Sequence, residues 1–321
     1  MQAVILAAGK GRRLQPVTFR RSKAMAPVLG KPIVERVMDE LVVAGIGEFV
    51  IVASPDDEEL AHYFAQESEL RERVRLVHQA ERLGMAHALQ CAAPLLRDDF
   101  VLCACDNLVP AEQIGLLLDR WQSTPQPNAV LALMEVELDE VSKGGVVAVE
   151  GPWITRIVEK PRPDEAPSNL YSMALYAFSP RILDYLPLVP RSARGEYELQ
   201  DAIQMLIQRD GRVCGVTVTG RLTLTTPQDL LMINCRYLAA AGSPRLPAPE
   251  TVGHQSSLIA PLFVESGAVI GPDCTVGPEV YLERDCHIGR GVTLRRAIIL
   301  RGSAVPDGAS IQDEVWGSTQ R

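Results

Sequence analysis

At 321 residues, 47% of them hydrophobic and 22% charged, the chain has the length and composition of a soluble two-domain protein able to bury large cores. A formal net charge of −8 argues against a nucleic-acid surface, and no apolar run approaches the length of a membrane span. Seven scattered cysteines, several within apolar segments and none in a Cys-x-x-Cys pair, read as reduced core thiols; with a start that lacks a basic region or cleavage site, they predict a cytoplasmic protein.

The first predicted element is a buried strand, Ala3-Val4-Ile5-Leu6, that runs into a loop holding Gly9 and Gly11. Seven Lys and Arg residues from Lys10 to Lys31 precede the first acidic residue, Glu35, so the loop reads as a cradle for a small polyanion in an otherwise acidic chain. The plainer reading is a turn with solvated cations. It is not a P-loop, which needs Gly-Lys-Ser/Thr where Gly9-Lys10-Gly11 stands, nor a dinucleotide fingerprint, whose third glycine position is Leu14.

A helix is predicted from Ile33 to Ala44, closed by Gly45-Ile46-Gly47, then a strand Phe49–Val52, an exposed helix Glu58–Glu72, a strand Val74–Val77 and a helix Gly84–Leu96. The apolar strand Phe100–Cys105 ends at Asp106-Asn107, and Ala129–Val136 is another strand. Apolar strands alternating with amphipathic helices predict a Rossmann-like, mixed but mostly parallel sheet covered on both faces, with ligand at the carboxyl ends of the strands. From Gly144 shorter strands follow at Val146–Val149, Trp153–Val158 and Tyr171–Phe178, then a helix Glu198–Arg209, a strand Val213–Val218 and a helix Pro227–Ala240 opened by its proline.

The expected domains are 1–240, a Pro/Gly/Ala-rich linker 241–254, and 255–321. In the last, aliphatic residues recur every sixth position from Leu258 through Val264, Ile270, Val276, Leu282, Ile288 and Leu294 to Leu300. A second column two places earlier runs Ala268, Cys274, Val280, Cys286, Val292, Ile298, and Gly271, Gly277 and Gly289 follow column residues where the chain must turn. This is a hexapeptide repeat and predicts a short parallel β-helix, with Asp313 to Arg321 too polar to continue it.

Read together, the motifs resemble those of the sugar-1-phosphate nucleotidyltransferases, or nucleotide-sugar pyrophosphorylases. The matching residues are Leu6-Ala7-Ala8-Gly9, Gly11, Arg13-Leu14, Pro16, Thr18, Lys23, Pro27-Val28 and Lys31-Pro32. They continue with Gln79, Leu83-Gly84 and Ala86, Asp106-Asn107, Glu159-Lys160-Pro161, Asn169 with Tyr176, Gly195 to Leu199 with Asp201, and Thr226-Pro227 with Asp229-Leu230. The resemblance covers residues 2 to 234 in order, and a tail forming a left-handed β-helix occurs in one branch of that family.

The resemblance implies the nucleotide-diphospho-sugar transferase fold and transfer of a nucleotidyl group from a nucleoside triphosphate, UTP or dTTP favoured, to a hexose or N-acetylhexosamine 1-phosphate. It implies that Leu6, Ala7, Ala8, Gly9 and Gly11 hold the nucleotide through main-chain groups, while Gln79 and Gly84 read the base. Arg13 would clamp pyrophosphate, Lys23 would sit between the reacting phosphates, and Gly145, Glu159, Lys160 and Asn169 would bind the sugar. Asp106 would hold Mg2+, against a plainer role in ending its strand. No nucleic acid or membrane partner is implied, and because β-helix tails in that family often mediate assembly, a homo-oligomer through the tail is left open.

Several positions depart from the family pattern. Thr223 stands where a second metal carboxylate is usual, Thr225 where a glycine is, Arg12 for a threonine, Ser22 for a proline, Cys105 for a glycine, and Ala174 for a glycine near the sugar. These leave open an alternative, a nucleotide-binding regulatory homologue with impaired catalysis. Arg12, Arg20 and Arg21 read as solvated or phosphate-steering, and His87 as packing.

Overall fold

The computed structural model describes residues 1–317. By contact, the chain groups into two compact units: Met1–Gly9 with Val37–Arg221, and Lys10–Arg36 with the chain from Leu222 onward.

The first unit is built on a nine-stranded sheet: β1 (Gln2–Leu6), β2 (Phe49–Ala53), β3 (Val74–His78), β4 (Phe100–Ala104), β5 (Ala129–Glu135), β6 (Gly145–Glu150), β7 (Trp153–Glu159), β8 (Leu170–Phe178) and β9 (Val213–Thr217). Their order is β3-β2-β1-β4-β8-β5-β9-β7-β6. Only the run from β3 to β4 and the β5–β9 pair are parallel; β8 enters antiparallel between β4 and β5, and β7 is antiparallel to both neighbours. The sheet is therefore mixed rather than mostly parallel. The reversal was hidden because a strand buried on both faces is continuously apolar in either direction.

Helix α1 is Ile33–Val43, one residue short of the expected end at Ala44, and helices α2 (Glu58–His62), α3 (Met85–Ala92), α4 (Ala111–Ser123) and α5 (Leu199–Arg209) belong to the first unit. The expected helix Glu58–Glu72 stops early: a π-turn, Tyr63–Glu67, and a 3-10 turn, Arg71–Arg73, take over, and Ser68 with an extended backbone ends the run. Helix α4 went unread. It buries only Ile114, Leu117 and Trp121, so its apolar stripe is thin. One side of the core brings Val4, Val50, Leu102, Leu131 and Phe178 from the strands against Leu89 of α3 and Ile203 and Leu206 of α5.

In the second unit, α6 (Pro227–Ala240) starts with a full capping box between Thr226 and Asp229, as its sequence demands. Beyond it short strands pair in parallel with partners three six-residue periods away: Leu258 with Val276 and Val276 with Leu294, Leu262 with Val280, and Ile270 with Ile288. Ala268, Cys274, Val280, Cys286, Val292 and Ile298 are all buried, as are Val264 to Leu300 of the first column. The segment 241–254 runs beside these strands, with Arg245 N donating to Leu262 O and Gly253 N to Ile270 O. Contrary to expectation, 313–316 continue the stack: Glu314, Val315 and Trp316 pair with Ala297, Ile298 and Ile299, because alternation lets Glu314 face out while Val315 is buried. The rest of that expected tail, 318–321, lies outside the described residues. No described helix is long and apolar enough to cross a membrane.

Candidate active site

The carboxyl ends of β1, β2 and β4 are level: Ala7 N donates to Val52 O and Cys105 N to Leu6 O. Ala7 and Ala8 are buried, Gly9 and Lys10 are exposed, and a Cβ on Gly9 would meet nothing within 4 Å, so an approaching anion finds bare backbone there. Arg82, which the motifs did not single out, closes one side: its Nε donates to Ala8 O at 2.7 Å and its Nη2 to Ser54 Oγ at 2.7 Å.

Gln79 follows β3, with its N bonded to Ala53 O, and is 4% exposed. Its Nε2 lies 3.0 Å from Gly84 O and 3.0 Å from His87 Nδ1. The Gly84 carbonyl accepts only, so the amide nitrogen must face it; His87 Nδ1 must then accept, which leaves the ring proton on Nε2. His87 is therefore more than packing: it uses up the second amide N–H of Gln79. Gly84 has φ +99, and a Cβ there would come within 2.5 Å of Tyr197 O, so this N-cap of α3 has to be glycine. The contact is a clasp, with Tyr197 N donating to Leu83 O and Ala86 N to Tyr197 O.

Asp106 sits half-buried in the turn after β4. Burial, with the Asp106 charge adding, pushes the Cys103 thiol up to about 12. Beside Asp106, Asn107 Nδ2 donates to Ala174 O, and Asn107 Oδ1 is buried without a partner. No group of three or more His, Cys, Asp or Glu able to hold a metal occurs among the described residues.

Gly145, Glu159 and Lys160 come together. A Cβ on Gly145 would stand 3.5 Å from Glu159 Oε2 and 3.0 Å from Gln200 Cγ; Glu159 Oε1 pairs with Lys160 Nζ at 3.4 Å and Arg194 Nη2 at 3.5 Å. Burial holds the Glu159 carboxyl above its usual range, countered in part by Lys160. Gln200 and Arg194 were missed, though both lie in or next to the stretch from Gly195 to Asp201. Asn169 is exposed just before β8, its carbonyl bonded to Val136 N, and makes no hydrogen bond to this cluster among the described residues.

In the second unit, Gly11 (φ +59) lets the chain fold back so tightly that a Cβ would touch Lys23 Cβ at 3.0 Å and Thr18 Cγ2 at 3.1 Å, and Thr18 Oγ1 donates to Gly11 O. Arg12 and Arg13 are exposed on the next turn, and Lys23 is half-buried. The basic run is not uniformly anion-facing. Arg21 is buried against Glu283, correcting the expectation that it is solvated or phosphate-steering; Lys31 pairs with Glu35, and Arg36 donates to the carbonyls of Val28 and Leu29 and stacks over Tyr237.

The chain is similar to known proteins over both parts. Residues 2–239 match the family model for nucleotidyl transferases, and residues 258–321 match that of the GMPPB C-terminal domain. UTP--glucose-1-phosphate uridylyltransferase AglF of Haloferax volcanii is 37% identical over 231 residues, 71% of this chain and 93% of that protein. A glucose-1-phosphate thymidylyltransferase of Streptomyces griseus is 30% identical over 274 residues, 84% of this chain and 74% of that protein. Of several longer relatives the chain spans 61 to 65%. A UDP-glucose pyrophosphorylase crystallised with UDP-glucose shares the fold, with a TM-score of 0.66 at 24% identity over 74% of this chain and 98% of that one. With three quarters of its length under one family model and these relatives beside it, the chain belongs to the nucleotidyl transferase family.

Proposed function

We propose that the protein transfers a nucleotidyl group from UTP or dTTP to glucose 1-phosphate, or to a related hexose or N-acetylhexosamine 1-phosphate, giving a nucleotide sugar and pyrophosphate. The observation that carries this reading is the fixed amide of Gln79, its nitrogen spent on Gly84 O and His87, beside a bare glycine backbone at the carboxyl edge of the sheet. An acceptor in that place suits the imide N3–H of uracil or thymine. The uridylyl- and thymidylyltransferase relatives agree with it.

In the proposed reaction a phosphate oxygen of the sugar 1-phosphate attacks the α-phosphorus in line. The new P–O bond forms as the bond to the β-phosphate oxygen breaks, and pyrophosphate leaves with the electron pair. Main-chain groups of Leu6, Ala7, Ala8, Gly9 and Gly11 hold the nucleotide, Arg13 neutralises the departing pyrophosphate, and Lys23 offsets charge between the reacting phosphates. Gly145 lets the sugar approach Glu159, which accepts from its hydroxyls, with Lys160 and Asn169 at the rim.

Asp106 is the carboxylate that would hold magnesium, which when bound supplies further neutralisation of the phosphates. One hard oxygen ligand completed by phosphate and water suits that ion, which seldom uses an all-protein cage. The proposed domain limits are 1–240, 241–254 and 255–321, a reading supported by the matched ranges 2–239 and 258–321. Parallel pairing at three-period spacing supports the reading that the repeats wind as a short left-handed β-helix, and a homo-oligomer through that helix is part of the proposal. A cytoplasmic location is supported by seven free cysteines.

The test is pyrophosphate release with magnesium, each nucleoside triphosphate and a panel of sugar 1-phosphates. Turnover with UTP or dTTP and a hexose 1-phosphate is expected. Nucleotide binding without turnover for any pair would overturn it in favour of the regulatory homologue to which Thr223 and Thr225 point.

A further inference from the structure

The stretch that carries Lys23 is gripped on both sides by the repeat domain. Before it, the two terminal guanidinium nitrogens of Arg21, Nη1 and Nη2, meet both carboxylate oxygens of Glu283, at 2.6 and 3.0 Å, with the two side chains only 4% and 6% exposed. Glu283 Oε2 also accepts from Arg301 N at 2.8 Å, and Arg301 Nη2 reaches back to Arg20 O at 3.1 Å. After it, Gly30 N donates to Tyr281 Oη at 3.2 Å, and that hydroxyl in turn donates to Glu265. Between the two grips Ala24, Met25 and Ala26 are buried, so the 3-10 turn Lys23–Met25 has no slack.

A buried ion pair is a poor device for stability alone, because desolvation offsets most of the attraction, and this one leaves Arg21 Nε buried without an acceptor. It is a good device for register, since a bidentate pair tolerates neither a slide nor a rotation. Glu283 follows Leu282, which faces the interior of the stack, so its carboxylate faces away from that core.

We infer that Glu283 is a positioning residue for nucleotidyl transfer: through Arg21 it fixes the backbone from which Lys23 projects, making the C-terminal repeats part of the phosphate-binding apparatus. This rests on the proposed role of Lys23. The dependence is proposed for this chain, whose match to AglF covers 71% of its length and 93% of that protein.

The test compares full-length wild type with Glu283→Gln, Glu283→Asp and the apolar double variant Arg21→Met/Glu283→Met. Readouts are kcat and KM for both substrates, the UTP Kd by calorimetry, and Tm. In Glu283→Gln and Glu283→Asp, kcat/KM for UTP is expected to fall, and the UTP Kd to rise, at least fivefold, with KM for the sugar 1-phosphate unchanged. The double variant is expected to recover Tm without recovering UTP binding. Changes under fivefold in folded Glu283→Asp, or joint recovery of Tm and UTP binding in the double variant, would overturn the inference. Calorimetry needs no turnover, so a wild type that binds UTP without reacting would refute the proposed transferase activity and still leave the role of Glu283 measurable.

Discussion

Replacing His87 by leucine tests how the base is read. The substitution keeps apolar contact on α3 and deletes one acceptor, so one N–H of the Gln79 amide, on a side chain 4% exposed, loses its partner. The amide cannot escape by turning over, because Oε1 would then oppose the Gly84 carbonyl, which now sits 3.0 Å from Nε2. A buried unsatisfied donor costs about 1–3 kcal/mol. If about 1–2 kcal/mol of that appears as lost orientation of Oε1, affinity for a uracil nucleotide falls roughly 5- to 30-fold at 1.36 kcal/mol per decade. The assay is KM and Kd for UTP and CTP in wild type, His87→Leu and His87→Gln. Cytosine presents an acceptor at N3, so the wild type is expected to favour UTP, and the preference should narrow in His87→Leu. His87→Gln keeps an acceptor and is expected to stay within about threefold of wild type, the scale of one retained neutral hydrogen bond. An unchanged UTP:CTP ratio in a folded His87→Leu protein would refute the reasoning.

Asp106→Ala is expected to abolish pyrophosphate release with folding unaltered; near-normal turnover would refute the metal assignment. Gly84→Ala forces a Cβ to within 2.5 Å of Tyr197 O at φ +99, so a drop in Tm of several degrees and weaker UTP binding are expected in thermal and calorimetric measurements. The thiols of Cys103 and Cys286 are pushed up to about 12 by burial, so they stay protonated as pH rises through 8 and 9, and native alkylation at these pH values should spare both until the protein is unfolded. Thr223→Asp restores a carboxylate where the family pattern has one; the magnesium concentration giving half-maximal rate is expected to fall, and an unchanged requirement would show that Thr223 does not limit the metal.

What could be read in advance was whatever depends on near neighbours in the chain. The apolar runs ending at Leu6 and Cys105 gave their strands, Gly9 and Gly11 their loop, and Thr226-Pro227 with Asp229 the start of α6 to the residue. What could not be read depends on partners far apart. Arg21 looked like one more cation of the phosphate loop because Glu283 lies 262 positions away. Gln200 looked like an ordinary helix residue until Gly145 was brought against its Cγ. The antiparallel entry of β8 leaves no trace in a strand that is apolar on both faces, and α4 escaped because three buried side chains make too faint a stripe.

Within the first unit the candidate base and sugar residues are not independent. Gly84 presses on Tyr197, and the next residue, Glu198, is buried and accepts from Ser192 Oγ at 2.8 Å and Arg194 Nη2 at 2.7 Å. Arg194 reaches on to Glu159, and two residues past Glu198 the chain places Gln200 against Gly145. One short hairpin, pinned by the bridge between Arg191 and Tyr197, thus touches the base end at Gly84 and the sugar end at Glu159. On the proposed function, this connection would set the distance between two ligands whose reacting atoms must meet in line, and much of the advantage of a positioning enzyme lies there. On the same proposal, the stretch from Gly195 to Asp201, which carries many family-matching residues and no assigned chemistry, would serve as a spacer, and spacing is visible only once both ends are in place.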